Sequence, residues 1–205
     1  MPLITNINFQ TKNKKRCNLF VNGEFFSGVS LETVMLSRLK VGQEINKEQL
    51  KTLLEENERR EALSKAADYV SKSLKTKRQV KDYLIRKGYS EEIAWYCVDK
   101  LKEYDYVNDE EYSKRFIESA AVTQGKRLTE YKLMMKGVKK DDIENAFFET
   151  EVDMLKNAVA TAEKYLRNKE KTKENLAKAY RYLLGRGFSY SEASEALARY
   201  DKQGD

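Results

Sequence analysis

A short turn pattern recurs three times in this chain at nearly constant spacing. Each copy has a basic residue, a glycine, an apolar residue and then Ser or Lys before an amphipathic run. The three glycines are Gly88, Gly137 and Gly187, so the intervals are 49 and 50 residues. A fixed period of this length predicts a repeat architecture in which one helical unit is stacked several times. Such proteins usually bind partners along extended surfaces, so the period favours binding over catalysis.

Helix start and stop signals divide the chain into a β-rich beginning and three helical units. Asn22-Gly23 between two short β-rich runs predicts a hairpin, because a type I′ turn needs positive φ at both central residues. The recurring glycines are predicted helix stops in the left-handed conformation, and Ser90 and Thr172 are predicted N-caps. The predicted fold is mainly α, with tandem repeats of three-helix units in an elongated, curved array after a small N-terminal β-meander plus helix domain. The predicted boundaries are 1–61 for the N-terminal domain and 62–107, 108–150 and 151–205 for the three repeats.

Two helices are predicted before the first recurring glycine. A short one spans 31–40 with Met35 on its buried face, and a long one runs from 47 to about 75. Residues 55–61 are almost all charged, which favours a break or an exposed bridge between domains there. The buried stripe of the long helix is predicted at Leu50, Leu53, Leu54, Leu63, Ala67, Val70 and Leu74.

Composition limits the class of function. The 205 residues carry a net charge of +6, which favours nucleic acid, an acidic protein or an anionic surface as partner. The absence of histidine excludes Ser-His-Asp triads and His-ligated metal sites, and no cluster of the remaining reactive residues indicates catalysis. We therefore expect a protein that is not an enzyme and uses no metal or cofactor. Two distant cysteines, no membrane-spanning window and no apolar signal core predict a cytoplasmic protein.

Basic residues cluster on the second helix of the first two predicted repeats. Residues 70–90 hold seven basic residues and one acid, and a second cluster spans 126–140. Stacked repeats would align these helices into a positive stripe that could follow a phosphate backbone or an acidic protein groove. The alternative is a solvated face whose Lys and Arg stems cover apolar surface. The candidate binding residues, chosen by charge and placement, are Lys77, Arg78, Lys81, Arg86, Lys87, Lys114, Arg115, Lys126 and Arg127.

Tyrosine occurs 13 times, often among basic residues. This interleaving could serve base stacking. Most of these tyrosines, such as Tyr83, Tyr112 and Tyr131, lie at apolar helix positions, so core packing is favoured. Tyr104 and Tyr106, close to the predicted N-cap at residue 108, are expected to pack at the joint between repeats.

Several motifs between residues 78 and 116 follow one family pattern. They are Arg78-Gln79-Val80 leading to Leu84, the turn Arg86-Lys87-Gly88-Tyr89 with Ser90-Glu91-Glu92-Ile93, and Tyr106-Val107-Asn108-Asp109-Glu110-Glu111-Tyr112 with Arg115-Phe116. In these motifs the sequence strongly resembles the RecX regulators of the RecA recombinase. The resemblance is specific over 64–118, recognisable to about 150 and weaker in the third repeat.

The resemblance implies a tandem three-helix fold without enzymatic activity. It also implies binding in the groove of the RecA filament on single-stranded DNA, with inhibition of ATP hydrolysis, strand exchange and coprotease action in recombination, DNA repair and the SOS response. Direct contact with single-stranded DNA and a monomeric state fit this expectation, and no membrane partner is expected. The sequence departs from the family at Gly125-Lys126-Arg127-Leu128, where Gly-Lys-Gly-Pro is common. A stand-alone nucleic-acid-binding helical repeat protein and a structural adaptor with incidental charge are the alternatives.

Overall fold

The N-terminal part of the chain is a small antiparallel sheet. The computed structural model describes residues 2–201. Asn22 and Gly23 join the last two strands with φ angles of 52° and 85°, so the predicted hairpin turn is confirmed. The sheet has the order β1-β2-β3, with β1 (Ile4–Phe9), β2 (Arg16–Val21) and β3 (Glu24–Ser30).

Helices make up the rest of the described chain, and from the second helix onward they come in groups of three. Gly88, Gly137 and Gly187 each end the second helix of a group with φ of 91°, 85° and 89°, which confirms the predicted left-handed stops. The predicted mainly helical class, with three-helix repeats after a small sheet, is confirmed. The helices are α1 (Leu31–Leu36), α2 (Lys47–Val70), α3 (Lys77–Arg86), α4 (Glu91–Glu103), α5 (Asp109–Ala121), α6 (Lys126–Met135), α7 (Lys140–Glu149), α8 (Met154–Leu166), α9 (Lys173–Gly185) and α10 (Tyr190–Asp201).

Side-chain caps begin the helices where the sequence places them. The Ser90 side chain accepts a hydrogen bond from the backbone N–H of Ile93, and that of Thr172 accepts one from Asn175. Each cap satisfies a backbone donor that has no partner inside its helix. No helix among residues 2–201 combines the length and apolarity needed to cross a membrane.

Helix α2 differs from its prediction, because it continues without a break through residues 55–61. Asn57 lies buried in the middle of this charged run. Its Oδ1 accepts hydrogen bonds from the backbone N–H of Ser30 at 2.7 Å and from Thr33 Oγ1 at 3.1 Å. A hydrogen-bonded amide therefore replaces an apolar residue in the stripe, and the predicted break was wrong. The buried positions of α2 are Leu50, Leu53, Asn57, Ala62 and Ala66, whereas the predicted Ala67 and Leu74 are exposed.

Helix α1 is shorter than predicted. It ends at Leu36, and Arg38 turns the chain with a positive φ of 49°. The buried residue of α1 is Thr33, which hydrogen-bonds Asn57, while Met35 is 68% exposed. The prediction that Met35 lies on the buried face was wrong because a polar contact orients this helix.

The described chain divides into two compact units. The first comprises residues 2–73 and Val80–Tyr104, and the second comprises Leu74–Gln79 and residues 105–201. In the first unit, the sheet packs on the beginning of α2 through Ile4, Cys17, Leu19, Val29, Leu39, Ile45, Leu50 and Leu53. The second unit has one core in α5–α7 around Ile117 and Leu133, and another in α8–α10 around Leu183 and Phe188.

The tyrosines are divided between core and surface. Tyr83 is half-buried and stacks on Tyr69 at a centroid distance of 4.1 Å. Tyr131, however, is exposed, so its predicted core position was wrong. Tyr104 is 71% exposed and Tyr106 is also exposed, so neither packs at a joint as predicted. Val107 is the buried residue of this stretch.

Candidate partner-binding surface

The first unit carries three of the predicted binding residues, Lys81, Arg86 and Lys87, at α3 and its end. Lys81 Nζ lies 2.8 Å from a carboxylate oxygen of Glu91, and this hydrogen bond lowers the pKa of the Glu91 carboxyl. The same ammonium lies 5.3 Å from the ring centroid of Trp95. Arg86 and Lys87 are exposed, and neither forms an ion pair with any residue between 2 and 201. Their charge is therefore uncompensated, whereas that of Lys81 is paired.

Lys77 and Arg78 lie in the second unit, at a joint between the first turn of α3 and the turn after α6. The Lys77 backbone N–H donates to Asp109 Oδ1 at 2.8 Å, and the Lys77 ammonium lies 4.0 Å from Oδ2. Burial raises the pKa of the Asp109 carboxyl, and the bond from Lys77 acts against that rise. Thr76 Oγ1 donates to the Lys136 carbonyl at 2.7 Å. Lys77 therefore contributes to packing as well as to surface charge.

Arg78 adds a steric contact to this joint. A Cβ atom placed on Gly137 would lie 2.3 Å from Arg78 Cδ. The stem of Arg78 therefore covers the glycine directly, and only a residue without a side chain fits beneath it.

A second joint of the same kind lies between the first turn of α6 and the turn joining α9 to α10. The Gly125 N–H donates to the Arg186 carbonyl at 3.0 Å, and the Arg127 N–H donates to the Gly187 carbonyl at 3.2 Å. Arg186 Nε returns a hydrogen bond to the Thr123 carbonyl at 2.9 Å. A Cβ atom on Gly125 would lie 2.2 Å from the Gly187 carbonyl carbon. Two of the recurring turns therefore use glycine for close backbone approach, a role that the sequence pattern did not indicate.

Lys126 and Arg127 project from this second joint. Lys126 Nζ lies 3.7 Å from Glu130 and 5.2 Å from the ring centroid of Phe147. The exposed Arg127 guanidinium makes no ion pair within the described part of the chain. Both residues line a cleft of about 570 Å³ whose opposite wall includes Phe188 and Tyr190.

Lys114 and Arg115 on α5 are both paired with acids. The Lys114 ammonium contacts Glu149 and lies 2.9 Å from Glu110, and these two hydrogen bonds raise the pKa of Lys114. Arg115 Nε lies 2.6 Å from Glu111, one helical turn earlier. Exposed pairs of this kind stabilise a helix only slightly, but they reduce the charge that a partner would meet.

The structure thus brings the predicted residues together only in part. Lys77 with Arg78 and Lys126 with Arg127 lie at two joints of the second unit, while Lys81, Arg86 and Lys87 belong to the first unit. Five of the predicted residues pair with carboxylates inside the described chain, namely Lys77, Lys81, Lys114, Arg115 and Lys126, and Arg78 also has interaction partners of its own.

Sequence reasoning missed a further basic segment, the connection between α8 and α9. Its cations are exposed, and none of them forms an ion pair within residues 2–201. The alternation of basic residues in Arg167-Asn168-Lys169-Glu170-Lys171-Thr172-Lys173 was the signal that could have found it.

Family models of known proteins match three parts of this chain. The Regulatory protein RecX N-terminal domain matches residues 2–46, the RecX first three-helix domain matches 62–101, and the RecX third three-helix domain matches 151–197. The chain is 33% identical over 195 residues to Regulatory protein RecX of Clostridium botulinum strain Alaska E43, covering 93% of this chain and 92% of the relative. It is 32% identical over 204 residues to Regulatory protein RecX of Clostridium beijerinckii, covering 97% and 96%.

Two solved structures have the same fold. A crystal structure of regulatory protein RecX aligns with a TM-score of 0.74 at 22% identity, covering 98% of this chain and all of that chain. The crystal structure of RecX from Lactobacillus salivarius aligns with a TM-score of 0.63 at 23% identity, covering 71% and 97%.

Proposed function

This chain belongs to the RecX family of regulatory proteins, and we propose that it regulates a RecA recombinase by binding the filament that RecA forms on single-stranded DNA. The observation that carries the proposal is the match to regulatory relatives along nearly the whole chain. The basic residues on the surface of both units add a physical reason, because a filament groove that encloses DNA favours positive charge.

The proposed mechanism is occupancy. Helical repeats lying in the filament groove contact neighbouring RecA protomers at once, which restricts the subunit motions that accompany ATP hydrolysis. RecA ATPase, strand exchange and coprotease activity all depend on those motions, so all three are inhibited. We propose that the protein acts this way as a cytoplasmic monomer in recombination, DNA repair and the SOS response.

The nine proposed binding residues differ in how readily their charge reaches a partner. Arg86 and Lys87 in the first unit and Arg127 in the second have exposed side chains, and none of the three has a carboxylate partner among residues 2–201. Paired residues such as Lys114 must first exchange an internal carboxylate for a partner's group, which reduces the net gain. Lys77 and Arg78 also hold a joint together. The unpaired residues should therefore contribute most per side chain.

Charge reversal at the end of α3 tests this proposal. The variant Arg86→Glu with Lys87→Glu should inhibit single-strand-dependent RecA ATPase only at concentrations at least about tenfold higher, since two favourable charges become repulsive. The measurement is RecA ATPase on single-stranded DNA as a function of added protein.

A matched control has the same change in charge elsewhere in the first unit. Lys47→Glu with Lys51→Glu places acids on the first turns of α2, where a helix N-terminus tolerates them. It should inhibit like the unchanged protein. Equal inhibition by both variants would exclude the end of α3 as a contact, and absence of any inhibition or filament binding by the unchanged protein would exclude the proposed function.

A further inference from the structure

The connection between α8 and α9 carries the densest uncompensated positive charge of the third repeat. We call residues 167–173 the basic loop. It holds four basic residues and one acid, Glu170, and no apolar side chain. The four cations are exposed and make no ion pair within the described range 2–201: Arg167, Lys169, Lys171 and Lys173.

Tyrosine rings position two of these cations without neutralising them. Lys169 Nζ lies 3.2 Å from the ring centroid of Tyr165, and that ring stacks on Tyr182 at 4.5 Å. Lys171 Nζ lies 5.1 Å from the ring centroid of Tyr200. A neutral ring attracts an ammonium group through its quadrupole but leaves the full charge in place. A carboxylate partner, such as Glu149 beside Lys114, instead cancels that charge.

Within the described residues, the basic loop makes no hydrogen bonds to a neighbouring turn like those of its two counterparts at the starts of α3 and α6. The first turn of α3 bonds the Lys136 carbonyl through Thr76, and the first turn of α6 bonds the Arg186 carbonyl through Gly125. The corresponding cap of α9, Thr172, is exposed and bonds within its own turn to Asn175. Contacts with a neighbouring turn therefore account for the residues at the starts of α3 and α6. They do not account for the charge of the basic loop.

We propose that the basic loop binds the phosphate backbone of single-stranded nucleic acid. A protein partner would need an apolar anchor to form a dry interface centre, and the loop offers none. Phosphate contacts need only accessible cations, because their free energy comes from release of counterions. Tyr182, one ring of the stacked pair, stays 38% exposed and adds an aromatic face of the kind on which unpaired bases stack.

A second copy of this chain does not fit the same surface. By analogy with the two joints, it would offer the turn at Gly88, where a Cβ atom meets nothing within 4 Å among the described residues. That turn carries Arg86 and Lys87, both positive and without an ion pair in the described part of the chain. Like charges would face each other, so the loop needs an anionic partner.

The test uses the full chain without RecA, so that its result is independent of the proposed function. A fluorescently labelled oligothymidylate is titrated at several salt concentrations, and binding is followed by anisotropy. In Arg167→Glu with Lys171→Glu, the negative slope of log K against log salt should become shallower by about 1.4, because each of two lost phosphate contacts contributes about −0.7 for single strands. Circular dichroism checks that the variant remains helical.

A matched control distinguishes the loop from general charge. Lys47→Glu with Lys156→Glu makes the same change in net charge on exposed first turns of α2 and α8, outside both basic clusters and the basic loop. It should keep the slope of the unchanged protein. The proposal is wrong if both variants lose binding equally, if the loop variant keeps its slope, or if polyglutamate displaces the label more effectively than unlabelled oligothymidylate. RecA inhibition that persists in the loop variant would leave the proposed function intact.

Discussion

Single glycines decide how closely the helical segments of the second unit approach each other. Gly125 lies buried against the main chain of Gly187, and Gly187 in turn lies against Leu128. A Cβ atom added to Gly125 would lie 2.2 Å from the Gly187 carbonyl carbon, and one added to Gly187 would lie 2.4 Å from the Leu128 nitrogen. Both distances are too short for a real Cβ atom. Gly185, only two residues before Gly187, has no neighbour of this kind within 4 Å in the described chain. Substitutions of Gly125 and Gly185 therefore separate the effect of lost backbone freedom from the effect of close approach.

Gly125→Ala should destabilise the second unit by about 1–3 kcal/mol, the range typical of overpacking a filled site. Gly185→Ala should leave stability unchanged or raise it by up to about 1 kcal/mol, because alanine is the better helix residue and meets open space. Urea unfolding followed by circular dichroism measures both. Equal stability of the two variants would mean that the joint at Gly125 opens in solution.

At the scale of elements, the first turn of α3 combines a cap with a joint. Thr76 is buried, accepts the Gln79 N–H and donates to the Lys136 carbonyl. Thr172 occupies the same place at the start of α9, but it is exposed and its hydroxyl accepts the cap bond from the Asn175 N–H within its own turn. The same residue type thus serves one role in α9 and two in α3.

Thr172→Ala should cost about 1 kcal/mol, the usual value of an N-cap side chain. Thr76→Ala should cost about 2 kcal/mol, because it also removes a hydrogen bond worth about 1 kcal/mol to a carbonyl of the α6 turn. Hydrogen exchange can locate the difference, since only Thr76→Ala should speed exchange around Gly137. Similar exchange there in both variants would contradict the joint.

At the scale of the whole molecule, local signals predicted most of the fold. Asn22-Gly23 and the three left-handed glycines were read correctly because one or two residues decide such turns. Asn57 was missed because its partners, Ser30 and Thr33, lie on other elements.

The candidate surface was less predictable for the same physical reason. Counting basic residues locates charge along the chain but not the carboxylate that compensates it. Lys77 meets Asp109 32 positions later, and Lys114 meets Glu149 from another helix. These pairs are visible only in the folded structure. The sequence-based prediction therefore overestimated the unpaired positive charge on α5 and overlooked that of the basic loop.

Limited trypsin digestion should show the continuity of α2 in the whole chain. Cleavage should come first in exposed connections, after Lys12–Lys15 and within the basic loop, because proteases need locally unfolded chain. Cleavage after Arg59 or Arg60 should lag, since these residues lie inside a regular helix beside the bonded Asn57. Mass spectrometry of early fragments decides the order. A first cut at Arg59 or Arg60 would contradict the continuous helix and support the exposed bridge predicted from the charge of residues 55–61.

The joint between Gly125 and Gly187 has an evolutionary consequence, because main-chain N–H and carbonyl groups make most of its hydrogen bonds. Such groups are present whatever the neighbouring side chains become. Mutational drift can therefore change the chemistry of the facing surfaces freely while the spacing of the segments is kept, provided that no side chain grows at the contact. A lineage built on this joint can vary its partners faster than its architecture.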